Sequence, residues 1–107
     1  MIVTTTPDIP GRRVRRVLGV AKGTTVRSRH IGKNLLAAVR AVVGGEIFDL
    51  TKVVAEAREQ AFDRMIEDAQ RMGANAVLAM RFSSAEVMRN AAEIVAYGTA
   101  VVLEEGS

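Results

Sequence analysis

The closing segment of the chain departs from the pattern of a sheet with one wet face. Over residues 93–103, Val95, Tyr97, Thr99, Val101 and Leu103 share one side, and Ile94, Ala96, Gly98, Ala100 and Val102 share the other. A half-solvated antiparallel strand alternates apolar with polar residues. Here both sides are apolar or small, so both ask for a cover. Upstream, the β-branched run 2–6 predicts a short strand ended by Pro7, and Asp8-Ile9-Pro10-Gly11 predicts a turn. Residues 12–26 have strand propensity through Val14, Val17, Leu18, Val20 and Val26. Alternation fails near Arg15-Arg16, which predicts a bulge, and Gly23 marks a second irregularity. Residues 28–32 read as a loop. Leu35, Leu36, Val39, Val42 and Val43 recur at spacings of three and four, so 34–43 predicts a short helix stopped by Gly44-Gly45. Asp49 is the expected N-cap of a longer helix over about 50–72. Leu50, Val53, Val54, Ala57, Ala61, Met65, Ala69 and Met72 form its apolar stripe, widened by Phe62 and Ile66, and Gly73 ends it. Residues 76–82 predict a strand with Leu78, Met80 and Phe82 on one face. The polar stretch 83–92 reads as an exposed connection to the closing strand.

This order predicts one α+β domain over 1–107, with a mostly antiparallel sheet and one short and one long helix packed on one face. Helices on one face leave the second apolar side of the closing strand bare. Each large side chain left wet there would cost roughly 1.5–3 kcal/mol, against a typical domain margin of about 5–15 kcal/mol. Further copies of the chain relieve that cost, so the expected partner is the protein itself.

Aromatic residues make up 4% of the chain, so the core must come from Val, Leu, Ile, Ala and Met. Cysteine is absent, which removes disulfides, thiolate metal sites and cysteine nucleophiles. No charged start precedes an apolar run, and no apolar stretch nears the roughly 18 residues of a membrane span. The expectation is a soluble cytoplasmic protein with no membrane partner. The net charge of +3 hides an asymmetry: segment 11–45 holds nine Lys or Arg and no acid, while 46–107 is acidic on balance. A basic front half fits an anion or nucleic acid, or the acidic surface of a neighbouring subunit. Single-strand binders interleave aromatics with the charges, and 11–45 has none, so nucleic acid is the less favoured partner.

Met1-Ile2-Val3-Thr4-Thr5-Thr6, Val42-Val43-Gly44-Gly45, Met72-Gly73-Ala74-Asn75-Ala76-Val77 and Ala96-Tyr97-Gly98-Thr99-Ala100-Val101 together resemble the YbjQ-like family, in order and over nearly the whole chain. The resemblance implies a small fold of dodecin-like type assembled as a homopentameric ring. It also implies a metal ion as the candidate cofactor, since the family carries the label "putative heavy-metal-binding". It supplies no catalytic residues.

Soft metals take thiolates, imidazoles or thioethers. His30 is the sole histidine, and most of the methionines fall on apolar faces where methionine fills gaps. Copies of His30, or of Glu46 or Asp49 near the Gly-Gly turn, could converge on a ring axis. The plainer reading of the two acids is solvation or capping. Arg40 could hold an anion, and Tyr97 could line a ligand pocket at a subunit boundary; their plainer roles are a solvated face and packing between strands. Ser28 lies two residues from His30 with no assignable acid, which makes a poor nucleophilic pair. The leading expectation is a non-enzymatic ring holding a small ligand or cation between subunits. The alternatives are an enzyme whose site forms only across subunit interfaces, and an anion or nucleic-acid binder acting through 11–45.

Overall fold

The computed structural model describes residues 1–28, 48–88 and 91–105. Chain order gives β1 (Ile2–Val3), β2 (Val14–Ser28), α1 (Phe48–Arg71), β3 (Ala76–Met88) and β4 (Ala91–Leu103). The strands form one sheet in the order β1-β3-β4-β2. β4 pairs antiparallel with both long neighbours, while β1 runs parallel to β3. The sheet is therefore mixed, with its parallel pair confined to two residues at one edge. The expected short helix over 34–43 and its Gly-Gly stop lie outside the described residues.

The first strand is shorter than 2–6, but its continuation still follows β3. Thr4 N–H donates to the Val77 carbonyl, and the carbonyls of Thr4 and Thr6 accept from Met80 and Ala79. The turn at 8–11 is present: Arg12 N–H donates to the Ile9 carbonyl at 3.1 Å around Pro10-Gly11. Its Gly11 has φ +80, as the third position of a type II turn requires.

β2 carries the expected bulge. Val14 faces Leu103 and Arg16 faces Val102, so Arg15 is the extra residue. A second shift falls at Leu18, between Val17 opposite Val101 and Gly19 opposite Ala100. It is not at Gly23, which sits in regular register opposite Ala96. Gly23 serves a different end. A Cβ there would overlap the Ala61 carbonyl oxygen and the Met65 amide nitrogen, and would lie 2.7 Å from the Arg64 carbonyl carbon. The missing side chain lets the backbone of α1 lie directly on β2.

The helix matches the predicted stripe over its buried length. Ala57, Ala61, Met65 and Ala69 are fully enclosed, and Phe62, Ile66 and Met72 are half-buried. Val54 is the exception at 40% exposed. Asp49 lies inside α1, which begins at Phe48, so it is not the N-cap. The far end is a Schellman motif: Ala74 N–H reaches the Ala69 carbonyl and Gly73 N–H the Gln70 carbonyl, both at 3.0 Å. Gly73 adopts φ +88, which costs a residue without a Cβ little.

The 76–82 strand does not keep one apolar face. Between Leu78 opposite Thr99 and Arg81 opposite Tyr97, β3 has one residue too many, and Ala79 takes φ +53. The irregularity sends Leu78 to one side of the sheet and Met80 to the helix side. β3 also continues to Met88, so 83–88 is strand and not a connection. Its last residues read as a loop because 83–86 are exposed and, Ala85 apart, polar. Pairing with β4 from Phe82–Ala96 to Met88–Ala91 holds them in the ladder.

Two apolar clusters result. On the helix side, Ala21, Ala96, Ala100, Val77 and Met80 meet Ala61, Met65 and Ala69. On the other side, Ala76, Leu78, Val101 and Leu103 form a smaller cluster under Ile9. No helix among the described residues is long and apolar enough to cross a membrane.

Candidate functional site

Strand register fixes which side chains share the sheet face turned away from α1. Successive rows read Val17–Val101–Ala76, Val20–Thr99–Leu78, Lys22–Tyr97–Arg81, Thr24–Val95–Ser83 and Val26–Glu93–Ala85. Ile9 covers the end near Leu103. Beyond it the face is open: Val17 is 64% exposed, Val20 66% and Val26 54%. β4 is thus apolar on two sides with its helix on one, as the alternation of its residues required.

Tyr97 lies at the middle of this face, 38% exposed, between Lys22 and Arg81 on the neighbouring strands. Arg81 is anchored, its guanidinium donating to the Thr5 carbonyl at 2.9 Å and the Met80 carbonyl at 2.8 Å. The row offers one phenol beside two cations. Such a trio can recognise an anionic or aromatic group.

The free edge of β2 is partly sealed by the helix. Lys22 N–H donates to the Asp68 carboxylate at 3.0 Å, and Arg64 donates to the Thr24 carbonyl at 2.6 Å. Arg71 pairs with Asp68 at 3.6 Å. Unpaired edge groups invite strand addition from another chain. Here two of them, mid-strand, are already engaged.

A groove of about 350 Å³ lies on the opposite side, between α1 and β3. Ala55, Arg58, Glu59 and Phe62 line it from the helix and Phe82 from the strand. Phe82 is 46% exposed there. Its place on the helix side follows from pairing with Ala96, after the irregularity at Ala79 has reset the register.

His30, Arg40 and Glu46 lie outside the described residues, and Asp49 is placed only as a residue of α1. Tyr97 is the one predicted site residue whose surroundings are described. The basic run 12–16 does not form a continuous stripe. Arg12 sits in the turn with its Nε donating to the Glu104 carbonyl, Arg13 precedes the strand, and Arg15 is the bulge residue. The sequence marks the β2 valines as strand formers only, and gives no sign of the Phe62–Phe82 groove. Val14, Val17 and Val20 recur every three residues, and two bulges disguise them as members of one strand face.

Among the described residues, no three His, Cys, Asp or Glu side chains come together as a metal cluster would require. Met65 and Met80 are buried against Ala and Val in the core. Among the described residues, the donors present do not fit a soft metal.

Residues 1–104 match the YbjQ_1 family model, described as "Putative heavy-metal-binding". The chain belongs to the YbjQ family. It is 56% identical over 104 residues to a UPF0145 protein of Thermus thermophilus, covering 97% of this chain and 91% of the relative. It is 50% identical over 101 residues to a UPF0145 protein of Methanosarcina acetivorans, covering 94% and 95%. A crystal structure of a DUF74-family protein of unknown function from Pediococcus pentosaceus superposes with a TM-score of 0.65 at 15% identity, over 97% of this chain and 98% of that one. That likeness is one of fold.

Proposed function

We propose that this YbjQ-family protein is a non-enzymatic homo-oligomer, built as a ring in the cytoplasm, that holds a small ligand or a cation between its subunits. The open valine face of the sheet carries the reading. Val14, Val17, Val20 and Val26 are 41–66% exposed, and covering them would recover about 3–6 kcal/mol. Association costs about 4–15 kcal/mol in lost freedom. The valines alone reach only the low end of that, so the mating surface must add apolar area of its own. A further copy of the chain has such area.

The family description supports a metal, and copies of His30, Glu46 or Asp49 converging on the ring axis are the donors it would take. The Lys22–Tyr97–Arg81 row supports an anionic ligand in the same location. Five subunits is the number the family resemblance implies. Sedimentation velocity at micromolar concentration tests the assembly: a single species several times the 11.5 kDa chain mass is expected, and a monomer overturns the reading. Native mass spectrometry after incubation with zinc or copper tests the cation. Retention of a metal by the assembly and not by dissociated chains is expected; an assembly that retains none, with no thermal shift, removes that part.

A further inference from the structure

One row of the outer sheet face owes its make-up to a backbone irregularity. Strict alternation from Leu78, opposite Thr99, would bring Met80 to Tyr97. The extra residue in β3 brings Arg81 there instead. Ala79 takes φ +53 in doing so, a region unfavourable for a residue with a Cβ. Gly98 on β4 makes the room, since a Cβ there would lie 2.5 Å from Val77 Cγ1 and 3.0 Å from the Leu78 carbonyl oxygen. Strained bulges of this kind re-aim side chains at functional positions. We propose that the Lys22–Tyr97–Arg81 row binds a small organic anion, an apolar or aromatic body carrying one carboxylate or phosphate. This rests on the ligand-holding reading above and names the ligand's class.

The surroundings of Tyr97 fit that charge. The rows on either side are Val20–Thr99–Leu78 and Thr24–Val95–Ser83. With the central row they hold two cations, three hydroxyl side chains besides the phenol, and no carboxylate. Glu93 is on this face too, but four residues along β4 from Tyr97, about 13 Å away. Arg81 is oriented in advance. Its Nη1 donates to the Thr5 and Met80 carbonyls. Thr5 is in turn fixed between Thr4 and Thr6, whose carbonyls accept from Met80 and Ala79. Both bonds of the guanidinium use Nη1, so its Nε–Nη2 edge has no partner among the described residues. That edge matches two oxygens of one carboxylate or phosphate, and holding it in place beforehand lowers the cost of binding. Lys22 supplies a second charge from the other side of the ring. The Tyr97 ring, 38% exposed, and Val20 in the next row offer apolar contact to the ligand's body.

Saturation-transfer NMR with benzoate, phenyl phosphate and uncharged benzyl alcohol tests the row, on the full chain with its oligomeric state measured in the same sample. The two anions should receive magnetisation and benzyl alcohol should not. Titration then gives each affinity, and the tighter anion names the head group. Arg81→Ala should weaken both anions about 10-fold or more, the scale of hydrogen bonds to a charged group. Arg81→Lys should recover only part of that, because it restores the charge without the fork. Lys22→Gln, at an exposed position, should weaken binding in the same direction and stands in if Arg81→Ala shows no cooperative melt. Arg58→Ala removes a cation from the groove on the other side of the sheet and should leave both affinities unchanged. Three results overturn the proposal and leave the assembly untouched: neither anion binds the wild type, benzyl alcohol binds as well as they do, or the row variants bind as the wild type does. A monomer that binds the anions and loses them with Arg81→Ala upholds this row and overturns only the ring.

Discussion

Replacing Gly23 by alanine tests how the helix is held on the sheet. The added Cβ would meet backbone on the far side, at Ala61, Arg64 and Met65, where no side chain can rotate away. The helix would have to lift from β2 or the strand would have to bend. Overpacking a core typically costs about 1–3 kcal/mol. Lifting the helix also stretches three bonds between it and β2: Thr25 Oγ1–H to the Ala57 carbonyl at 3.1 Å, Arg64 to Thr24, and Lys22 N–H to Asp68. Each is worth about 0.5–1.5 kcal/mol net. A loss of about 3–5 kcal/mol follows, a large share of a margin of about 5–15 kcal/mol. Urea unfolding followed by far-UV circular dichroism reads it, at matched protomer concentration because association adds stability. With a slope near 2 kcal/mol/M, the midpoint should fall by about 1.5–2.5 M. Gly73→Ala serves as the control. It adds a Cβ with nothing within 4 Å but at φ +88, and should cost about 1–2 kcal/mol. If Gly23→Ala unfolds within about 0.3 M of the wild type, α1 does not rest on β2 in the way described.

Two further substitutions probe the junctions around that contact. Asn75 replaces a ladder pair with its side chain, donating from Nδ2 to the Leu103 carbonyl at 3.0 Å and accepting from Leu103 N–H at 2.7 Å. Asn75→Ala should lower stability by about 1–3 kcal/mol in thermal melts, and Asn75→Asp should restore little because it keeps the acceptor and loses the donor. Thr25 is the one buried polar side chain among the described residues, so Thr25→Val, which removes its bond to Ala57, should cost about 1 kcal/mol by urea titration; an unchanged midpoint would mean that bond contributes nothing net.

The elements legible in the sequence were those with a strong local signature. α1 announced itself through Ala57, Ala61, Met65 and Ala69 at spacings of four, and its end through Gly73. The two-sided character of β4 followed from reading alternate residues. What escaped were effects of register. An extra residue at Ala79 moved Met80 and Phe82 to the side opposite Leu78, and no local preference for alanine at positive φ foretells that. Polar residues 83–86 gave no strand signal because their order comes from pairing with β4 and not from burial. Gly23 looked like an irregularity because its reason lies about 40 residues away, on the helix. The site suffered most: alternation puts Tyr97 in one row with Val95, Thr99 and Val101 without saying which side faces away from α1, and the valines around it and the groove behind it depend on three register shifts.

The same small residues that make the cover tight also make it partial. Ala21, Gly23, Ala96 and Ala100 line a shallow trough across β2 and β4, and Ala57, Ala61 and Ala69 let α1 sink into it. The bonds from Asp68 and Arg64 to the outer edge of β2 then hold the helix toward that side of the sheet. A helix held there cannot also roof β3, so Phe82 stands half-exposed beside Phe62. On the reverse side, Ile9 shields the end of the sheet near Leu103 and leaves Val17, Val20 and Val26 bare. Among the described residues, the groove therefore traces to where α1 is held, and the bare valines to how far Ile9 reaches. A larger side chain at Gly23 would not close the groove; it would dislodge the cover that already exists.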